Sequence, residues 1–205
     1  MSASGRESEI KFALGGPRDF EKLSGPGGLE GPRRVEILEN IYLDTVELSL
    51  ARALVMLRLR FCAGKSPLIT LKCGTEVEAG FFRSVEVEST VATPVAEGLR
   101  RDPTSIYGLE LEPVAYLREH SGVLPLTVIG SLRNERTSIT AGRFLVELDR
   151  IGFPDGSEEF ELEIETEDSA SARDWVEGEF RRLDVRASPG RETKFARLVR
   201  WLRRR

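Results

Sequence analysis

The sequence predicts an α+β fold: a closed eight-stranded antiparallel β barrel, a tunnel with a charged lumen, covered by several helices. Three observations predict it. Charges stand at every second position in Glu7-Ser8-Glu9-Ile10-Lys11 and again in Glu161-Leu162-Glu163-Ile164-Glu165. In a strand, side chains two apart share a face, and a face made only of charges cannot pack against an apolar core. The alternate positions are apolar, as in Ile10, Leu59, Leu71, Val87, Leu148, Leu162 and Ile164. The apolar face therefore turns outward under covering helices, and closing the sheet removes its edges.

The elements follow in order. After the first charged strand, Gly15-Gly16-Pro17 breaks the chain, residues 19–23 suit a short helix, and residues 24–32 form a loop. Residues 34–44 read as a strand and 45–53 as a helical turn capped by Thr45. Residues 54–61 and 67–73 flank Ala63-Gly64-Lys65-Ser66 as a hairpin, and 81–91 is the next strand. Helical segments are expected at 94–101 and 111–119. A long strand at 124–139 turns at Gly142 into 143–151. Asp155-Gly156 is the strongest turn signal and joins that strand to 159–165. Two helices close the chain: 169–183, opened by Ser169 as N-cap, and 192–204, with Phe195, Leu198, Val199 and Leu202 on one face.

Composition bounds the reading. The 205 residues suit one domain, residues 1–205, and the net charge of −4 is a near-balance of 30 basic and 34 acidic groups. Cys62 and Cys73 read as reduced thiols, with a cross-strand disulfide as the alternative. The start of the chain lacks an apolar signal region, and no stretch approaches the ~18 apolar residues of a membrane span, so a cytoplasmic protein without a membrane partner is expected. The basic C-terminal helix is explained by cations at a helix C-terminus, and nucleic acid is an unlikely partner.

Several chemistries can be weighed. Gly64-Lys65-Ser66 lacks the preceding glycine of a phosphate-binding loop, since position 59 is leucine, and Pro67 leads into a strand rather than a helix. His120 is the single histidine, suited to a surface or capping role, so histidine-based triads and paired-histidine zinc sites are not expected. Trp175 and Trp201 read as core packing. Carboxylates remain as metal ligands, and they suit hard cations such as Mg²⁺ or Mn²⁺. Lysines and arginines on the other strands of the same face would hold what the ion binds. A ligand calling for both a cation and several positive side chains is most simply a polyphosphate.

The ordered set Glu7-x-Glu9-x-Lys11, Arg58-x-Arg60, Lys72, Glu86-x-Glu88, Arg133, Arg136, Glu147-x-Asp149, Glu163-x-Glu165 and Lys194 resembles the CYTH superfamily, the triphosphate tunnel metalloenzymes. Thr193-Lys194-Phe195-Ala196-Arg197 is similar to the ending of its inorganic triphosphatase members. The resemblance implies a metal-dependent hydrolase releasing phosphate from inorganic triphosphate, with Mg²⁺ or Mn²⁺ as cofactor. It implies Glu7, Glu9, Glu163 and Glu165 as metal ligands, with Asp149 and Glu88 assisting a metal or a water. Glu161 shares the face of Glu163 and Glu165, so the ligand pair could be the first two, although the distance to Lys194 favours the last two. Lys11, Arg58, Arg60, Lys72, Arg133, Arg136 and Lys194 would contact phosphate. Arg133 and Arg136 differ in parity, so both enter the lumen only if the strand bulges between them. Alternatives on the same fold are a class IV-type adenylate cyclase or a thiamine triphosphatase, and one of another class is a non-catalytic polyphosphate or nucleotide sensor. A monomer or homodimer is expected.

Overall fold

The computed structural model describes residues 2–204, with side chains from residue 5 onward. The strands are β1 (Ser2–Leu14), β2 (Arg33–Asp44), β3 (Val55–Cys62), β4 (Leu68–Glu78), β5 (Phe81–Thr90), β6 (Thr127–Ala141), β7 (Phe144–Gly152), β8 (Glu158–Glu165) and the short β9 (Ala187–Pro189). The helices are α1 (Pro17–Ser24), α2 (Ser49–Arg52), α3 (Thr93–Arg101), α4 (Glu112–Ser121), α5 (Ser169–Arg182) and α6 (Lys194–Leu202), with a 3₁₀ helix at Pro103–Gly108. The sheet runs β5-β4-β3-β2-β6-β7-β8-β1, and β1 closes the barrel by pairing with β5. All these pairings are antiparallel. Eight strands thus form the wall, as the charge alternation requires. The ninth, absent from the sequence reading, adds to β1 through Phe12 and Pro189; three residues ending in proline carry no alternation to detect.

The apolar face of the wall does turn outward. Ile10, Phe12, Leu148, Leu162 and Ile164 are buried beneath α1 and α5, where Phe20, Leu23, Ala172, Val176 and Phe180 meet them. Ile41, Leu57, Leu59, Ile69 and Leu71 are covered by α2, α3 and α4 through Leu50, Ala96, Leu99, Val114 and Leu117. Burying each such aliphatic side chain contributes roughly 1.5–3 kcal/mol, so the helices are held by the alternation that keeps charge inside.

One end of the interior is apolar, which the charge ladders do not announce. Tyr42, Met56, Leu132 and Ile151 share the parity of the inward-facing Asn40, Arg58, Arg136 and Asp149. They pack on Leu198 of α6 with Phe195 and Trp201 alongside. The Tyr42 and Phe195 rings stack at 5.3 Å, and Trp201 Nε1 donates to Asp155 Oδ2 at 2.7 Å, tying α6 to the β7–β8 turn. Helix α6 is therefore a partial plug set into one end of the barrel.

Local details follow side-chain chemistry. Asp168, not Ser169, caps α5, its carboxylate accepting from Ser171 N at 3.1 Å, since an ionised acceptor one residue earlier reaches the free N–H groups. Thr45 Oγ1 accepts from Ser49 N at 3.1 Å, but the buried Asp44 carboxylate takes Leu50 N at 2.8 Å and Ala51 N at 2.9 Å. Gly64 (φ 74) and Gly156 (φ 83) occupy turn positions in the left-handed region, so Gly64-Lys65-Ser66 is a hairpin turn. Cys62 and Cys73 are free thiols. Cys73 pairs with Val55, seven positions along β3 from Cys62, or roughly 23 Å, which rules out the disulfide alternative. His120 is exposed and stacked on Tyr116 at 4.0 Å. Trp175 packs against Phe144 at 5.1 Å. Among the described residues, no helix is long and apolar enough to cross a membrane.

Candidate functional site

A cavity of about 790 Å³ runs through the barrel. Strand β1 supplies Glu7, Glu9 and Lys11, β3 supplies Arg58 and Arg60, β4 supplies Lys72, β5 supplies Glu86 and Glu88, and β8 supplies Glu163 and Glu165. Arg136 of β6, Glu147 of β7 and Lys194 of α6 complete this part of the lining. The period-two rule brings them together: each is separated by an even number of residues from its neighbour on the same strand.

Three residues singled out in the sequence stand elsewhere. Arg133 is exposed on the outer face, paired in register with Glu39 and Gly152. The bulge that could have turned it inward lies instead where β2 steps from Tyr42↔Gly130 to Leu43↔Val128, so Arg133 and Arg136 keep opposite parity. Asp149 is fully buried and does not border the cavity; Arg136 grips it with two bonds of 2.8 and 2.6 Å and Lys194 Nζ lies 2.8 Å away. It supports those two cations from behind. Glu161 contacts Lys194 and Arg197 and faces a second cavity between β8 and the β9–α6 segment, leaving Glu163 and Glu165 as the β8 pair on the main lumen.

The interior charges form linked clusters. Lys11 Nζ lies 2.9 Å from Glu9 Oε1 and contacts Glu163. Burial opposes its charge, but Glu163 and Glu9 outweigh burial and hold the ammonium firmly protonated. Lys72 contacts Glu7 and lies 2.9 Å from Glu86 and 3.7 Å from Glu9. Arg136 also reaches Glu163 at 2.9 Å and contacts Glu147. Burial penalises the Asp149 carboxylate, yet Lys194 and Arg136 pull it down to about 2. Glu163 is likewise driven well below the usual range by Lys11, Lys194 and Arg136 against its burial.

Two groups are left with charge of their own sign only partly offset. Burial pushes the Glu7 carboxyl up to about 7, and Glu9 and Glu86 reinforce this against Lys72. Burial pulls the Arg60 guanidinium down to about 10, and the positive charges of Arg58 and Arg136 add to it. Among the described residues Arg60 has no carboxylate partner; its Nε donates to Asn40 Oδ1 at 2.9 Å. Glu7 thus shares its one cation, Lys72, with Glu86 and Glu9, and Arg60 has no carboxylate in contact, within one lumen. A divalent metal ion would satisfy Glu7 with Glu9 and Glu165, and the oxygen-only donor set suits a hard ion. Phosphate oxygens would satisfy Arg60 with Arg58 and Arg136.

Asp149, Glu161 and Glu163 also carry oxygens within 4.8 Å of one another. The Lys194 ammonium already lies among them, 2.9 Å from Glu163 Oε1 and in contact with Glu161. An ion there would have to displace it.

The sequence reading missed several participants. Glu86 and Glu147, quoted in the charge ladders but given no role there, line the cavity two residues before the acids that were chosen. Burial raises the Glu147 carboxyl despite Arg136. Asn40, Tyr42 and Thr70 gave no charge signal. Thr70 accepts from Arg58 Nη2 at 3.2 Å and donates to Glu88, fixing both.

Comparison with known proteins agrees with this architecture. The model of the family described as the CYTH domain matches residues 5–199. Among curated proteins, none matches this sequence significantly. Of solved structures, a proposed adenylyl cyclase from Hippeastrum, described as having a dominant triphosphatase activity, superposes with a TM-score of 0.85 at 22% identity, covering 93% of each chain. A proposed adenylate cyclase from Bacillus halodurans gives 0.74 at 22% identity, over 94% of this chain and 98% of that one. The PH1819 protein from Pyrococcus horikoshii gives 0.61 at 16% identity, over 94% and 98%. At these identities the likeness is one of fold.

Proposed function

Because this chain belongs to the CYTH domain family, we propose that it is a metal-dependent hydrolase that cleaves inorganic triphosphate to pyrophosphate and phosphate inside the tunnel. The observation that carries the reading is the pair of complementary deficits in one lumen, a carboxyl raised to about 7 at Glu7 and a guanidinium lowered to about 10 at Arg60. A metal–triphosphate complex supplies both missing charges at once. The triphosphatase activity described for the Hippeastrum protein supports the same class of reaction.

Glu7, Glu9, Glu163 and Glu165 are the residues that would hold Mg²⁺ or Mn²⁺, with Glu88 and Glu147 near enough on the lining to orient a water. The ion, when bound, supplies positive charge to the phosphate oxygens and makes a water more acidic. Arg58, Arg60 and Arg136 form one bank of donors, and Lys11, Lys72 and Lys194 the other. Together they fix the chain of phosphates and neutralise the charge that grows on the equatorial and leaving oxygens. A water oxygen attacks the terminal phosphorus in line as the bond to the bridging oxygen breaks. Pyrophosphate leaves, and the water's protons are shared between product phosphate and the nearby carboxylates. Asp149 keeps Arg136 and Lys194 pointed inward throughout.

Inorganic triphosphate is favoured over thiamine triphosphate or ATP because Tyr42 and Phe195, the aromatic rings on the lining, stack on each other within the α6 plug. That stack uses one face of each ring and so reduces what they offer a base or a thiazole ring. Phosphate release from tripolyphosphate, ATP and thiamine triphosphate at matched concentrations tests the choice. Fastest release from tripolyphosphate is expected; faster release from either organic triphosphate overturns it.

A further inference from the structure

The cations of the lumen differ in what they already hold. Lys11, Lys72, Arg136 and Lys194 each contact two or more carboxylates, and Arg58 lies 3.6 Å from Glu88. Among the described residues Arg60 contacts none, although it borders the cavity and feels the positive charge of Arg58 and Arg136. Its hydrogen-bond anchor is neutral: the Asn40 amide oxygen, 2.9 Å from Nε.

Strand register places that anchor. Asn40 of β2 stands directly opposite Arg60 of β3 on the inward face. A side chain as short as asparagine reaches the inner nitrogen of the guanidinium, which leaves Nη1 and Nη2 as the edge beyond it. Arg60 lines the cavity, whereas Asn40 is 1% exposed and is not part of the lining. Asn40 therefore acts through Arg60 and not on a ligand.

Folding alone would favour another residue at this position. Asn40 Nδ2 is buried with no hydrogen-bond partner among the described residues. Ionised aspartate has nearly the same shape, carries no donor to leave unpaired, and would give the buried guanidinium an ion pair. It would also cancel the charge that an anion in the lumen meets. The amide holds the guanidinium in place and leaves that charge available.

We propose that Asn40 is a positioning residue for phosphate binding: its uncharged oxygen fixes Nε of Arg60 and leaves the two terminal nitrogens, with their positive charge, for a phosphate of the substrate. This rests on the triphosphate reading of the lumen and adds to it a residue that never touches the ligand.

The test compares the wild type with Asn40→Asp, Asn40→Leu, Arg60→Met and the double variant Asn40→Leu/Arg60→Met. Tripolyphosphate binding is read by calorimetry with metal chelated, and the melting temperature is read without ligand. Asn40→Asp is expected to melt a few degrees higher than wild type and to bind tripolyphosphate about tenfold more weakly or worse. Asn40→Leu removes the anchor and is expected to weaken binding by about tenfold. Once Arg60 is gone the anchor has nothing to hold, so the double variant should bind within about twofold of Arg60→Met. A side chain that merely packs would give the same loss in both backgrounds. That result, a lower melting temperature for Asn40→Asp, or unchanged affinity in either single variant at position 40 overturns the assignment. A wild type that neither binds tripolyphosphate nor hydrolyses it with Mg²⁺ would instead overturn the proposed activity, and the melting comparison would still decide whether Asn40 leaves Arg60 without an anion.

Discussion

The Nζ of Lys194 lies 2.8 Å from Oδ2 of Asp149, a carboxylate with no exposed surface. The first residue of α6 is thereby pinned to the middle of β7. The same ammonium neutralises Glu161 and Glu163, so it does the work of a cation in a cluster whose oxygens could otherwise gather around one. Removing one partner from such a buried cluster typically costs about 3–5 kcal/mol.

Lys194→Met is therefore expected to lower the melting temperature by roughly 10 °C in a chain of this size, as well as to weaken triphosphate binding. Thermal unfolding at neutral pH measures it. A change of a degree or less would mean that the three carboxylates are neutralised by something other than Lys194.

Glu7 should behave in the opposite way when metal is absent. In the unfolded chain its carboxyl ionises near 4.5, and in the folded chain near 7. Between these values the unfolded state releases the proton first, so the folded state loses stability as pH rises through the window. Glu7→Gln removes that penalty. Its melting temperature should match wild type below about pH 4.5 and exceed it by a few degrees above pH 7, measured in chelator. A difference that is flat with pH would show that Glu7 is not short of positive charge.

Arg60 makes the matching case for the anion. It is buried beside Arg58 and Arg136, with Asn40 as its hydrogen-bond partner. Arg60→Met should raise stability in the absence of ligand and reduce triphosphate affinity by about 10- to 100-fold, the loss of one or two charge-assisted hydrogen bonds. Lower ligand-free stability together with unchanged affinity would contradict the assignment of Arg60 to phosphate.

Arg133 and Arg136 give a paired control. Arg133→Ser, on the outer face, should leave triphosphate hydrolysis within about twofold, as surface substitutions usually change little. Arg136→Ser strips Asp149, Glu147 and Glu163 of a shared partner and should abolish it. Equal effects on phosphate release would mean that both side chains enter the lumen.

That pair also marks how far the chain can be read without coordinates. Glu7, Glu9, Lys11, Arg58, Arg60, Lys72, Glu163 and Glu165 were legible because a strand's period of two is rigid and the charges keep to it. Arg133 was not separable from Arg136 by type, since only the position of the bulge near Gly130 decides parity downstream of it. Asp149 was placed on the correct face, yet the sequence could not reveal that two cations stand between it and the cavity. The α6 plug was visible as an apolar stripe through Phe195, Leu198 and Val199, but what it covers depends on Tyr42, Met56, Leu132 and Ile151, which look like ordinary core residues. Arg203 and Arg204 looked like charges suited to a helix C-terminus; their position on the tunnel wall is set by where α6 docks.

The central claim is that one lumen joins a cation deficit at Glu7 to an anion deficit at Arg60, so that a metal ion and inorganic triphosphate are bound and hydrolysed together. The most direct measurement is phosphate release from tripolyphosphate with Mg²⁺, with Mn²⁺ and with chelator, for the wild type and for Glu9→Ala. Release that requires the metal and disappears in Glu9→Ala is the expected result. Release that persists in chelator or in Glu9→Ala, or no release under any of these conditions, would contradict it.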